Sequence, residues 1–161
     1  MKKKLVLILL VVLALSPLMA AKSFSFDKIL NSDENDWGIG LNLGLPTGVV
    51  AELNSEDYDF YINLGYDYYY GFSGAVGVDY KVTEFEIEKA KFDIGIGGEI
   101  PVSVTSGFFL VKGLFTGSLS YQFEDLPLKA YARLGVGAEF NTSDGFGFGY
   151  GGGIGAIYHF E

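Results

Sequence analysis

A set of polar side chains recurs in this chain at strand-like spacing, and chemistry would be sought there first. Nine are charged (Glu52, Asp67, Asp79, Lys81, Asp93, Glu99, Lys129, Arg133 and Glu139) and three are amides (Asn42, Asn63 and Gln122). Each stands at alternate positions with apolar residues between, so that all share one face of their strands. Charges crowded on an enclosed face must pair or draw in water. Two roles are open to such a set: a gated pore or proton path, or a polar plug that holds a barrel in shape. The plug is the expectation here. Lys129 and Arg133 are then expected to bridge carboxylates on neighbouring strands, with Glu52 and Glu139 among the partners.

Catalysis finds little purchase. His159 is the only histidine, next to the C-terminal Phe160-Glu161, and there is no cysteine. A serine nucleophile would have to use His159 as its base, and no G-x-S-x-G stretch occurs. A metal would have to be held by carboxylates alone. Asp33, Glu34 and Asp36 read more simply as a solvated acidic segment. No catalytic residue, metal or cofactor is expected, and His159 is expected to be a polar group of the interior or the interface.

The first residues set the compartment. Lys2, Lys3 and Lys4 precede the apolar run "LVLILLVVLAL" and the small-residue stretch "SPLMAA". This is the pattern of an export signal cut after Ala20 or Ala21. The apolar run is shorter than the roughly 20 residues a spanning helix needs. With no cysteine, neither a lipoprotein nor a disulfide-stapled form is possible. Residues 1–21 are thus read as a signal peptide, 22–36 as a polar leader and 37–161 as one domain. The whole chain carries a formal charge of −9, and three of its eleven basic residues but none of its twenty acidic ones lie in the signal. The mature part is then near −12, which disfavours nucleic acid as a partner.

From Trp37 onward the chain reads as strand after strand. All 23 glycines fall at or after Gly38. "WGIGLNLGL" alternates Trp37, Ile39, Leu41 and Leu43 with Gly and Asn, and Pro46-Thr47-Gly48 turns it into "VVAELN". "YDFYINLGYDY", "FSGAVGVDYKV", "KFDIGIGGEI", "GLFTGSLSYQF" and "LKAYARLGVGAEF" alternate likewise, and "GFGFGYGGGIGAIYHF" is the eighth segment. Two stretches are ambiguous. Residues 83–89 ("TEFEIEK") break the alternation and suggest a bulge or a longer turn. Residues 101–112 suggest a loop, or a hairpin around Ser106-Gly107.

The two faces differ in an informative way. A soluble barrel or sandwich would put the polar face outside, yet a wet exterior has no reason to choose so much glycine. Inside a small closed barrel, glycine permits coiling while a few polar groups fill the remaining space. The apolar face then meets lipid, with aromatics near the strand ends. Segments of about 9–11 residues suit tilted membrane strands. Closure removes the open edge that hydrocarbon could not satisfy. The predicted fold is therefore all-β: one closed, antiparallel, up-and-down transmembrane β-barrel of eight strands, preceded by a cleaved signal peptide.

Export signal, eight alternating segments and an aromatic C-terminal strand together resemble small bacterial outer-membrane barrels of the OmpA/OmpX type. In that class an alternating last strand ending in Phe is thought to be read by the barrel-assembly machinery. Ile154, Ala156, Tyr158 and Phe160 match that pattern, while Glu161 follows where the class usually stops. More narrowly, "GIGLNLGLPTGVVAEL" and "GGGIGAIYHF" resemble an uncharacterised family of small barrels with a Gly-alternating first strand and a Pro-Thr-Gly turn. The resemblance implies an outer-membrane location, Tyr158 and Phe160 as an assembly signal, and the lipid bilayer, the assembly machinery and periplasmic chaperones as partners of a monomer. It carries no catalytic residues. The expected role is structural, with a lumen too crowded for a wide pore. A surface-binding, adhesin-like barrel and a soluble periplasmic carrier of lipocalin type are the alternatives, and short connections weigh against the first of these.

Overall fold

A computed structural model of the chain describes residues 36–55, 57–87 and 90–160; residues 1–35, which hold the expected signal peptide and most of the expected leader, and Glu161 lie outside the described residues. Eight strands run in chain order: β1 (Asp36–Leu45), β2 (Thr47–Asn54), β3 (Tyr58–Asp67), β4 (Gly71–Ile87), β5 (Ala90–Thr105), β6 (Phe108–Gln122), β7 (Leu128–Asn141) and β8 (Gly145–Phe160). Each pairs antiparallel with the next, and β8 returns to β1 from Trp37↔Phe160 to Leu45↔Gly152, closing the ring. The all-β, eight-stranded, up-and-down barrel is as the alternation predicts. There is no helix among the described residues.

The connections set the two ends. Asp36 and Phe160 lie at one end, with the links after β2, β4 and β6. At the other end a single residue, Pro46, joins β1 to β2, and turns at 68–70, 106–107 and 142–144 join the remaining pairs. The expected Pro-Thr-Gly turn is thus tighter than it reads, since Gly48 already pairs with Asn42. Thr47 secures the corner by donating to and accepting from Gly44.

Residues 83–87 of the first ambiguous stretch are strand, and 88 and 89 lie outside the described residues. Residues 101–112 form the hairpin around Ser106-Gly107, with Gly107 at φ +79°, where glycine is favoured. The β5–β6 ladder skips Ile100 and Pro101, as a residue without an N–H requires. In β4 the register slips between Lys81 and Thr83. This β-bulge inserts Val82, so the outward positions change from Val78 and Tyr80 to Thr83, Phe85 and Ile87. The pairing then runs on to Ile87↔Ala90. The broken alternation of "TEFEIEK" is that single inserted residue.

The faces are inverted relative to a soluble barrel. Ile39, Leu41, Leu43, Ile62, Leu64, Val76, Leu134 and Ile154 are all more than half exposed on the outside. Glu52, Asp79, Lys112, Lys129 and Arg133 are buried inside. Aromatic rings flank the aliphatic band at both ends. At the termini end Tyr58 meets Tyr80, Phe92 lies between Phe85 and Tyr121, and Tyr158 meets Phe160. Towards the other end stand Tyr66, Phe72, Phe148 and Tyr150, with Phe140 against Phe146.

Candidate functional site: a lumen crossed by ion pairs

Polar side chains cross the interior at three levels. Nearest the termini, Lys129 of β7 donates to Glu52 Oε1 of β2 at 2.7 Å and to Asp59 Oδ2 of β3 at 2.6 Å. Lys81 of β4 stands 3.7 Å from Asp59 Oδ1 and donates to Asn54 Oδ1 and the Ser55 carbonyl. His159 of β8 completes this level, its Nε2 3.7 Å from Glu52 Oε1.

At mid-height Arg133 Nε donates to Asp79 Oδ2 at 2.7 Å. Thr116 donates to the other carboxylate oxygen at 3.0 Å. The guanidinium lies between two rings, 3.5 Å from the centroid of Tyr61 and 4.9 Å from that of Tyr131. Such stacking suits the planar, weakly hydrated guanidinium. The rings are themselves tied down: Tyr61 donates to Glu99 Oε2 at 2.9 Å and Tyr131 to Asn42 Oδ1 at 2.8 Å. Asn42 and Asn63 both donate to the Pro46 carbonyl, fixing the far corner of β1–β2. Between these two levels Val50, Tyr61, Tyr131 and Ile157 make a small apolar core.

The backbone makes room for the rings. Tyr61 pairs directly with Gly77 on β4, and Tyr131 with Gly155 on β8. A Cβ on Gly155 would stand 2.6 Å from the Tyr131 ring, and one on Gly77 would also strike Tyr61. These glycines are the floors on which the tyrosines lie.

At the far end Lys112 donates to the Tyr150 carbonyl at 2.9 Å and stands 3.9 Å from Glu139. Tyr70 stacks on Phe108 at 5.2 Å above it. Asp67 accepts from the backbone of Tyr69 and Tyr70 and shapes that turn. Ser73 and Ser103 join β4 and β5 on the inner face.

The sequence-predicted residues distribute as follows. Glu52, Asp79, Lys81, Glu99, Lys129 and Arg133 meet across the lumen, while Asp93 lines a cavity at the termini end with Lys81. Gln122 is exposed and reaches only the Leu126 carbonyl. Glu52 is a partner of Lys129 as expected, but the bridges of Lys129 and Arg133 do not run between neighbouring strands. Lys129 and Arg133 reach across to β2, β3 and β4, because eight strands leave a lumen that one long side chain can span. Glu139 pairs with Lys112 on the adjacent strand instead. Asp59 and Lys112 are partners that the reading of the charges missed. Asp59 shares the parity of Tyr61 and Asn63, which would have revealed it, whereas Lys112 lay in the stretch of uncertain hairpin. Tyr158 and Phe160 point outward, at the β8–β1 seam.

Among the described residues no group of three or more His, Asp or Glu is gathered to hold a metal. No family model, curated protein or solved structure matches the chain.

Proposed function

We propose that the chain is a small integral outer-membrane β-barrel with a structural, envelope-maintaining role, its lumen sealed by polar side chains. The observation that carries this reading is the inside-out distribution: ion pairs within, and an aliphatic band flanked by aromatics without. On β3 the distance from Tyr58 to Tyr66 is about 20 Å, taking ~3.3 Å per residue and a tilt near 40°. On β8, Phe148 to Phe160 covers about 30 Å by the same measure. These bracket the apolar band of about 25 Å found on outer-membrane barrels. A closed ring also satisfies the backbone hydrogen bonds that hydrocarbon cannot.

The proposal includes export through the cleaved signal of residues 1–21. It includes delivery by periplasmic chaperones and insertion by the barrel-assembly machinery reading Tyr158 and Phe160. The barrel works as a monomer in the lipid bilayer. The short turns opposite the termini offer little surface for an adhesin, and a lipocalin-type carrier needs an apolar interior where this one holds charges.

Fractionation tests the reading. The mature protein is expected in the detergent-solubilised outer membrane, migrating faster on a gel before boiling than after. Recovery as a freely soluble periplasmic protein overturns it.

A further inference from the structure

Among the described residues, the end of the barrel that carries Asp36 and Phe160 is open. A cavity of about 540 Å³ enters there, within the roughly 300–1,000 Å³ usual for small-molecule sites. One part of its wall is acidic, with Asp93, Glu124 and Asp125; another is apolar, with Phe123, Leu126 and Pro127. Among the described residues of the wall, Asp36 adds a fourth carboxylate against two ammonium groups, Lys81 and Lys129. Both of those are already engaged, by Asn54, Ser55, Glu52 and Asp59.

A second observation is independent of the acidic wall. His159 lines the cavity at 7% exposure, and its Nε2 has no hydrogen-bond partner. Behind it, Glu52 Oε2 and Asp59 Oδ1 are buried and accept no hydrogen bond, though Lys81 Nζ stands 3.7 Å from the latter. Carboxylate oxygens can only accept, and neutral imidazole accepts at one nitrogen. The Lys81 and Lys129 ammonium groups are already directed at Asn54, Ser55, Glu52 and Asp59, while two carboxylate oxygens are left without a hydrogen bond. A group that brings hydrogen-bond donors and positive charge is what this end of the lumen lacks.

We propose that the vestibule is a binding site for a primary ammonium group carried on an apolar stem. The ammonium supplies three donors in a compact head, and its stem lies against Phe123, Leu126 and Pro127. An anion is opposed by the negative field of the rim. The inference rests on the cavity alone and does not depend on the structural role proposed above. Two sources can present this chemistry. One is the chain itself: Lys28, followed by Ile29 and Leu30, stands eight residues before Asp36, within about 27 Å of extended chain. A tethered lysine would act at an effective concentration in the millimolar range. The other is a separate amine.

His159 is the only histidine, so a histidine-labelled sample gives one imidazole signal, seated at the site. The full chain is folded in detergent micelles in two forms, unaltered and K22Q/K28Q, and titrated with n-butylammonium chloride. Butanol and sodium chloride at equal concentration serve as controls. A saturable shift of the His159 signal with butylammonium alone is expected, its affinity at least fivefold weaker in D93N/E124Q/D125N. Binding at least tenfold tighter in K22Q/K28Q assigns the site to the chain's own lysines; equal affinity assigns it to a separate amine. No saturable shift in either form overturns the proposal. So does an equal shift with butanol, or undiminished affinity in the triple variant once its heat-modifiable migration shows that it is folded.

Discussion

Lys129 is held by two carboxylates at once, 2.7 and 2.6 Å away, with all three side chains at least nine-tenths buried. Desolvation of each charge is costly, so the arrangement is favourable only while the set is complete. Lys129→Met strands Glu52 and Asp59 and is expected to cost about 3–5 kcal/mol in urea unfolding. The triple variant K129M/E52Q/D59N removes the charges together and should recover most of that loss. The same holds for Arg133→Ala, which leaves Asp79 unpaired and the Tyr61 and Tyr131 rings without the guanidinium between them. Unchanged thermal stability of Arg133→Ala would argue against the plug. Gly77→Val is expected to displace Tyr61 and to cost roughly 1–3 kcal/mol as an overpacking change. Gly117→Ala is the control, because a Cβ there meets nothing within 4 Å; thermal unfolding of the two variants separates them.

Strand register turns on one residue in β4. Val82 is the extra residue of the bulge, and deleting it leaves every pair from Thr83↔Ile94 to Ile87↔Ala90 as it stands. Deleting Val76 instead moves the rest of the strand by one and carries Asp79 to the outer face of the barrel. The first deletion is expected to keep the heat-modifiable migration of the folded barrel, and the second to lose it. The bulge also explains why residues 83–89 look irregular beside their neighbours. Alternation was legible wherever pairing is continuous, and it failed where two residues of β4 face one of β5.

The barrel as a whole is closed at several heights. Lys129 with Glu52 and Asp59, Arg133 with Asp79, and the Tyr70–Phe108 stack above Lys112 span a lumen only one side chain wide. In planar bilayers the unaltered protein is expected to show no conductance above the bare membrane. R133A/D79A empties the middle level but leaves the other two, and is expected to stay equally silent; steady currents from the unaltered barrel would contradict a sealed lumen.

How much of this was written in the chain depends on the range of the interaction concerned. Strand number and the inward or outward face of residues in continuously paired stretches follow from neighbours within a few positions, whereas the Ser106-Gly107 hairpin was one of two readings of its stretch. A period of two and the glycines sufficed for strand number and face. The partners of the inward charges did not follow. Lys129 meets Glu52 77 residues away, and Arg133 meets Asp79 54 residues away. Parity states that such residues share the lumen but not at what height each lies, since height depends on the stagger accumulated around the ring. Alternation alone determined that the charges go inside; only barrel closure decided which carboxylate each cation meets, because closure brings opposite walls within one side chain's length.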